Sequence, residues 1–239
     1  MLRRDEQVAS GTAGRTGSGR QRAGRPYRKR RQLPALIFLG VLGVAAVAVW
    51  VNALGSSPDI AEEIACEPKL DPPAETTFTR LPYDTLIETS PIPPSLVEVT
   101  VLNANGTRGD ASIATEELRR LGFTRVLDPR NDEVYTNGAV ADCHGQIRFG
   151  PDGERAARTV QLIDPCLELV QDDREDASVD LAIGTQFNDF RMPDAAVDIL
   201  DRLKSWESDN GAETDEQSID GGGPVIDDEL LAETLPKHC

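Results

Sequence analysis

Residues 97–123 read VEVTVLNANGTRGDASIATEELRRLGF, and this stretch decides the fold class. Val97, Val99 and Val101 alternate with Glu98, Thr100 and Leu102; β-branched side chains at period two predict a strand. The strand runs into Asn103-Ala104-Asn105-Gly106-Thr107-Arg108-Gly109-Asp110, a turn rich in Asn and Gly. Asp110 has the chemistry of an N-cap, and Ala114, Leu118 and Leu121 then recur at i, i+4 and i+7, the buried stripe of a helix. Gly122 follows as a C′ glycine, and residues 124–127 form a short second strand. Strand, helix and strand make a β-α-β-like unit whose crossover is right-handed if the strands are parallel.

Toward the C-terminus the same grammar repeats. Residues 146–149 predict a strand, and Asp152 or Gly153 opens a helix with Ala156, Val160 and Ile163 on one face and Pro165 just past its end. Strands follow at 167–170 and 179–183, around the polar loop QDDREDAS. A last helix spans about 193–206 with Val197, Leu200 and Leu203 in register. The expected fold is α/β: a small two-layer domain of repeated β-α-β units with a mixed four- to five-stranded sheet, covering residues 96–206. Residues 207–239 are acidic and Gly-rich and read as a flexible tail apart from Leu230-Leu231.

Toward the N-terminus, residues 55–95 contain eight prolines and no surviving apolar periodicity, which predicts a semi-extended extracytoplasmic linker with docking points at Cys66 and the Leu81/Tyr83 patch. Ahead of it, residues 33–54 carry no ionisable side chain. As a helix, 22 residues would reach about 33 Å, which matches a hydrocarbon core of about 30 Å. Residues 1–32 hold ten Arg or Lys against two acids, and the remaining 207 residues hold 15 basic and 39 acidic side chains. Positive charge marks the cytoplasmic flank, so the expectation is a single-pass plasma-membrane protein. Its disordered basic tail, 1–32, is cytoplasmic and its acidic bulk is outside. A cleaved signal segment ending near Ala53 is the competing reading. It leaves the bulk in the same compartment.

The acidic exterior argues against nucleic acid as a partner, because phosphates would be repelled. All four cysteines, Cys66, Cys143, Cys166 and Cys239, fall beyond the span, and an even number in an oxidising compartment reads as disulfides. With parallel strands, Cys143 and Cys166 both lie where neighbouring strands begin. That favours a Cys143–Cys166 bridge and leaves Cys66 to pair with Cys239, although three connectivities are open. No Cys-x-x-Cys pair exists and only His144 and His238 are available as nitrogen ligands, so neither a metal nor a cofactor is expected.

Three places have chemistry to weigh. The turn containing Asn103, Asn105, Gly106, Thr107, Gly109 and Asp110 resembles an anion cradle at a helix N-terminus, but it lacks a P-loop lysine and the full Gly-x-Gly-x-x-Gly spacing, so a tight turn is the plainer reading. Asp172, Asp173, Glu175 and Asp176 offer hard oxygen ligands to a divalent cation, without EF-hand spacing; a solvated loop competes. His144 beside Cys143 suggests a Cys-His dyad that a disulfide would consume. His238 is one residue from the last, and with no third histidine His-based hydrolytic catalysis has little to build on.

The stretch 97–123, together with VDLAIGTQF at 179–187, resembles the LytR C-terminal domain family: alternating valines, an Asn-Gly turn, a helix of Ala and Leu, a closing Leu-Gly-Phe, and a later strand ending in Gly and an aromatic. The layout of basic leader, one span, one such domain and four exported cysteines is similar to that of an actinobacterial envelope protein. That resemblance implies a role in cell envelope integrity, through binding of a cell-wall glycan or an envelope protein. The large catalytic domain and arginine-rich pyrophosphate site of full-length LytR-CpsA-Psr enzymes are missing, so their ligase activity is not carried over and no catalytic residue is assigned. The alternative is an accessory or catalytic domain acting on polyprenyl-linked cell-wall glycans.

Overall fold

The computed structural model describes residues 33–55, 60–69, 72, 74, 76–210 and 224–239, with side chains of the first helix described only for residues 36–47. The chain divides into two compact units, Met1–Ser56 and Ser57–Cys239. In the first, α1 (Leu33–Gly55) is a 23-residue helix coinciding with the expected span. Among the described residues no helix is long and apolar enough to cross a membrane. The expected cytoplasmic tail, residues 1–32, lies outside the described residues, as do residues 211–223 of the expected acidic tail.

The second unit runs α2 (Ile60–Ile64), β1 (Thr79–Leu81), β2 (Glu98–Asn103), α3 (Asp110–Arg120), β3 (Arg125–Val126), β4 (Arg130–Asn131), β5 (Gly145–Phe149), α4 (Glu154–Ile163), β6 (Glu168–Gln171), β7 (Val179–Ile183), α5 (Asp194–Asn210) and α6 (Asp228–Ala232). The strands form one mixed seven-stranded sheet in the order β1-β6-β5-β7-β2-β3, with β4 also on β2. Both β-α-β units are parallel as expected, β2 with β3 and β5 with β6, while β5 and β7 are antiparallel. The five expected strands are present. The two additional strands, β1 and β4, are too short for a period-two signal in sequence, and β1 exists only through pairing with β6.

Strand alternation divides the sheet into two faces. Val99, Val101, Ile147, Phe149, Leu169, Val179, Leu181 and Ile183 are buried in one core with side chains of α3, α4 and α5. The opposite face carries Thr100, Gln146, Arg148, Glu168 and Asp180, all buried, in register across β2, β7, β5 and β6. A smaller apolar cluster of Cys66, Leu102, Ala104, Tyr135, Ala141, Cys143 and Ala182 closes one end of this second face.

The helix that follows β2 is bounded much as its sequence implies. At its end Gly122 has φ 102°. Its amide donates to the Arg119 carbonyl at 3.1 Å, and the Phe123 amide to the Leu118 carbonyl at 3.1 Å. These are the two bonds of a Schellman motif, with Phe123 and Leu118 both in the core. The start differs from expectation. Gly109 in the left-handed region takes the cap position and Asp110 is the first helical residue. The Asp110 carboxylate instead accepts from Asn105 Nδ2 at 2.9 Å.

The described residues of the expected linker, from Ile60 onward, are docked. From Ile60 onward the chain packs on the second unit: Ile64, Cys66 and Leu86 are buried, β1 pairs with β6, and Ile92 exchanges two hydrogen bonds with Thr159. The C-terminal end is docked as well, through Leu231 and Thr234. As a result α4 is buried on every side. Arg158, Thr159 and Gln161, which face outward on an isolated helix, lie beneath these two segments, with Gln161 Nε2 donating to the Tyr83 carbonyl at 2.6 Å.

The disulfides join Cys66 to Cys143 and Cys166 to Cys239, which corrects the expected Cys143–Cys166 and Cys66–Cys239 pairs. Cys143 and Cys166 do lead into neighbouring parallel strands. Close to them in sequence, His144 and Asp164 are hydrogen-bonded to each other at 2.5 Å. Each cysteine meets a terminal segment instead.

Candidate functional site

The sheet face away from the helices holds an ionic network built on alternate residues of β5, β6 and β7. Arg148 on β5 is buried, donates to Asp132 Oδ2 at 2.6 Å and to Gln146 Oε1 at 2.7 and 3.0 Å, and lies 5.2 Å from the Phe78 ring and 6.0 Å from the Tyr135 ring. A guanidinium flanked by two aromatic rings is held by its quadrupole contacts as well as by its charge partner. Gln146 passes the network on to Glu168, which also accepts from Arg80 at 2.8 Å. Burial pushes the Glu168 carboxyl above its ordinary value, against the pull of the Gln146 hydrogen bond and the Arg80 charge. Burial likewise pushes the Tyr135 phenol up, with Arg148 opposing it.

At the other end of the same face the loop between β6 and β7 folds over the end of β5. The Asp172 amide donates to the Phe149 carbonyl, and a Cβ on Gly150 would meet the Arg174 carbonyl at 2.1 Å, so only glycine fits there. Arg174 forks onto Asp172 at 2.6 Å and Asp180 at 2.8 Å. Burial alone would lower its pKa, but the two carboxylates outweigh it and hold the guanidinium above its ordinary value. Arg130 on β4 approaches Asp180 from the other side at 3.6 Å.

Between these groups lies a cavity of about 140 Å³ lined by Phe78, Leu102, Val134, Arg148, Arg130, Arg174 and Asp180 among others. It adjoins a larger cleft of about 670 Å³, whose wall adds Glu98, Thr100, Leu127, Asp128, Asp173, Asp176 and Ser178. Six acids and two arginines line the larger cleft, and both arginines are engaged by Asp180. The balance is acidic, so the cleft is suited to hydroxyl-rich or cationic groups and repels phosphates.

The acidic run is split by this geometry. Asp172 is buried against Arg174, Asp173 and Asp176 line the cleft, and hydrogen bonds from Ser178 hold the Asp176 carboxyl below its ordinary value. Among the described residues no group of three or more His, Cys, Asp or Glu is arranged to hold a metal ion. Arg148, Gln146 and Asp180 were missed in the sequence. Their signal was Gln146 and Arg148 alternating with apolar residues in QIRF and the single acid Asp180 in VDLAI, legible only once both strands are known to be central.

The Asn-Gly turn lies apart from this cleft and holds itself together. The Gly106 amide donates to Asn103 Oδ1 at 2.9 Å and the Thr107 amide to Asn105 Oδ1 at 2.7 Å. Asn103 Nδ2 donates to the Thr107 carbonyl at 2.7 Å. The two amides that an anion would use are thus already bonded to side chains of the turn. His144 is buried with both ring nitrogens engaged, one at 2.5 Å from Asp164 and the other at 3.3 Å from the Gln186 carbonyl.

Residues 96–187, which contain most of the cleft wall, match the family described as LytR cell envelope-related transcriptional attenuator. Over 191 residues the chain is 35% identical to cell envelope integrity protein Cei of Mycobacterium tuberculosis, an alignment covering 79% of this chain and 88% of that protein. It also resembles, with TM-score 0.56 and 33% identity, the crystal structure of the soluble domain of a conserved hypothetical secreted protein from Mycobacterium marinum. That match covers 72% of this chain and 99% of the other. Identity at this level across most of both proteins shows that the chain belongs to the LytR C-terminal family and is a relative of Cei.

Proposed function

We propose that this protein is a single-span, membrane-anchored extracytoplasmic factor that supports cell envelope integrity by presenting the charged cleft to a cell-wall glycan or to an envelope protein. The observation that carries the reading is the open sheet face: about 670 Å³ of cleft walled by the exposed carboxylates of Glu98, Asp128, Asp173 and Asp176 and the buried ones of Asp172 and Asp180, mostly within the family-matched residues. Anchoring through residues 33–54 is supported by their lack of any ionisable side chain and by the basic flank before them. A binding role without chemistry of its own is supported by His144, whose ring nitrogens are both occupied.

The test is complementation. A strain lacking the protein should be sensitised to detergent and wall-active antibiotics, and the wild-type chain should restore tolerance. A chain with Asp173→Asn and Asp176→Asn, two changes at exposed carboxylates, should be present at normal level and fail to restore it. Full complementation by that variant would remove the cleft from the function. A deletion strain with unaltered tolerance would remove the envelope role.

A further inference from the structure

On the opposite side of the sheet, α4 places Arg158 at zero exposure, with no carboxylate among its partners in the described residues. Its Nη1 donates to Gln161 Oε1 at 2.8 Å, and its Nη2 to the Leu231 carbonyl at 3.3 Å and Thr234 Oγ1 at 3.0 Å. Its Nε has no partner among the described residues. Nε–H and one Nη–H form the parallel pair of donors that a carboxylate takes in bidentate fashion. At Arg158 that edge is filled on one side only, and by neutral oxygens. Burial lowers this guanidinium to about 10, so it remains charged at neutral pH.

The neutral oxygens belong to the C-terminal segment 224–239. Its helix α6 has five residues, too few to be stable alone. It is held by burial of Leu231, by the two contacts from Arg158, and by the Cys166–Cys239 disulfide. Four acids precede or follow Leu231, namely Asp227, Asp228, Glu229 and Glu233, and none reaches Arg158. A groove of about 570 Å³ runs past the disulfide between Pro165, Arg191, Pro193 and the last residues of the chain, giving a thiol access to it.

We infer that residues 224–239 are a latched strap occupying a docking groove, and that the groove's proper occupant is a segment of an envelope protein that places an apolar side chain at the Leu231 position and a carboxylate on the Nε and Nη2 of Arg158. The latch opens by exchange with an extracytoplasmic dithiol. The dithiol supplies two electrons and two protons, leaves as its own disulfide, and Cys166 and Cys239 become thiols. This site is separate from the charged cleft, and its failure would leave the cleft reading untouched.

The probes are synthetic peptides of residues 224–236 carrying Thr234→Glu or the isosteric Thr234→Gln, titrated into the full-length chain in detergent micelles. To the Cys166→Ser/Cys239→Ser chain, the Glu peptide should bind at least tenfold more tightly than the Gln peptide. The unlatched strap competes with both peptides equally, so the ratio is preserved. Oxidised wild-type chain should bind neither. Equal affinity for the two peptides, no binding to the unlatched chain, or equal binding to the latched one would each overturn the proposal. A second arm keeps both cysteines. Thr234→Glu in the chain itself should slow amide exchange across residues 228–235 at least tenfold relative to Thr234→Gln, and the reverse order would also overturn it.

Discussion

His144 Nε2 lies 2.5 Å from Asp164 Oδ2, in a space closed to solvent between the residues leading into β5 and β6. Asp164 also accepts from the Cys166 amide at 3.1 Å and the Arg191 amide at 3.4 Å. One carboxylate thus ties together both strand starts and the loop before α5. Replacing Asp164 with Ala leaves buried donors unmatched and should cost about 3 kcal/mol, lowering the Tm by about 6–12 °C for a domain of this size. Thermal unfolding followed by circular dichroism checks this. A drop under about 2 °C would mean that packing alone holds the three elements.

Non-reducing peptide mapping should recover Cys66 with Cys143 and Cys166 with Cys239. The bridges span 77 and 73 residues, for which chain entropy gives about 4 kcal/mol each. Paired Cys→Ser variants should therefore lower stability by comparable amounts. They should differ in what they release: amide exchange rises around residues 60–68 for the first pair and around 226–238 for the second. Recovery of a Cys143–Cys166 peptide would contradict the fold's account of its own termini.

Glu168 gives a pH dependence of definite sign. Its carboxyl is raised by burial from the ordinary value of 4.5, so the folded state keeps this proton to higher pH than the unfolded chain does. The contribution is fully present below the unfolded value and is lost as pH rises through the folded one. Urea unfolding of wild type and Glu168→Gln from acid to neutral pH isolates it: the stability difference, wild type minus variant, should fall across that window and be flat on either side. A difference that rises with pH would mean that Arg80 and Gln146 outweigh burial.

Gly150→Ala probes the mouth of the cleft. The added Cβ would lie 2.1 Å from the Arg174 carbonyl and 2.5 Å from its Cγ, so the 172–178 loop must move. A cost of about 2–4 kcal/mol is expected, as for other forced overpacking of a tight site, with loss of the Arg174 fork on Asp172 and Asp180. Ala at Gly138, where nothing lies within 4 Å but φ is 88°, should cost only about 1 kcal/mol of backbone strain. Chemical denaturation that ranks the two variants the other way would reject the clash.

Asn105 Oδ1 accepts from the Thr107 amide while its Nδ2 donates to Asp110. Asn105→Ala should therefore destabilise the β2–α3 turn by about 1–2 kcal/mol, read by urea unfolding. If the turn also holds an anion, inorganic phosphate should stabilise wild type more than this variant. No phosphate-dependent shift in either would leave the turn a purely structural element.

The LytR C-terminal core was largely legible because its signals are local. Valines at period two, Gly122 in the Schellman position, and the 179–183 run mark elements whose geometry depends on a few neighbouring residues. The cleft was not legible in the same way. Arg148 and Asp180 are 32 positions apart in sequence and face each other because β7 passes to the far side of β5 and pairs with it antiparallel. Period-two alternation fixes which side chains share a face of one strand, but not which strands adjoin.

The amino-acid sequence determined the β-α-β grammar, the charge asymmetry around residues 33–54 and the pairing of all four cysteines with one another. Each follows from composition or short-range pattern. Only the tertiary structure decided which cysteines meet, that the described residues of 60–95 and residues 224–239 pack on the domain, and that Arg158 and Gln161 are buried. The physical reason is shared. A helix such as α4 offers its outer face to whatever chain covers it, and a proline-rich or acidic segment with no periodicity of its own acquires a fixed place only through contacts made 60 to 80 residues away.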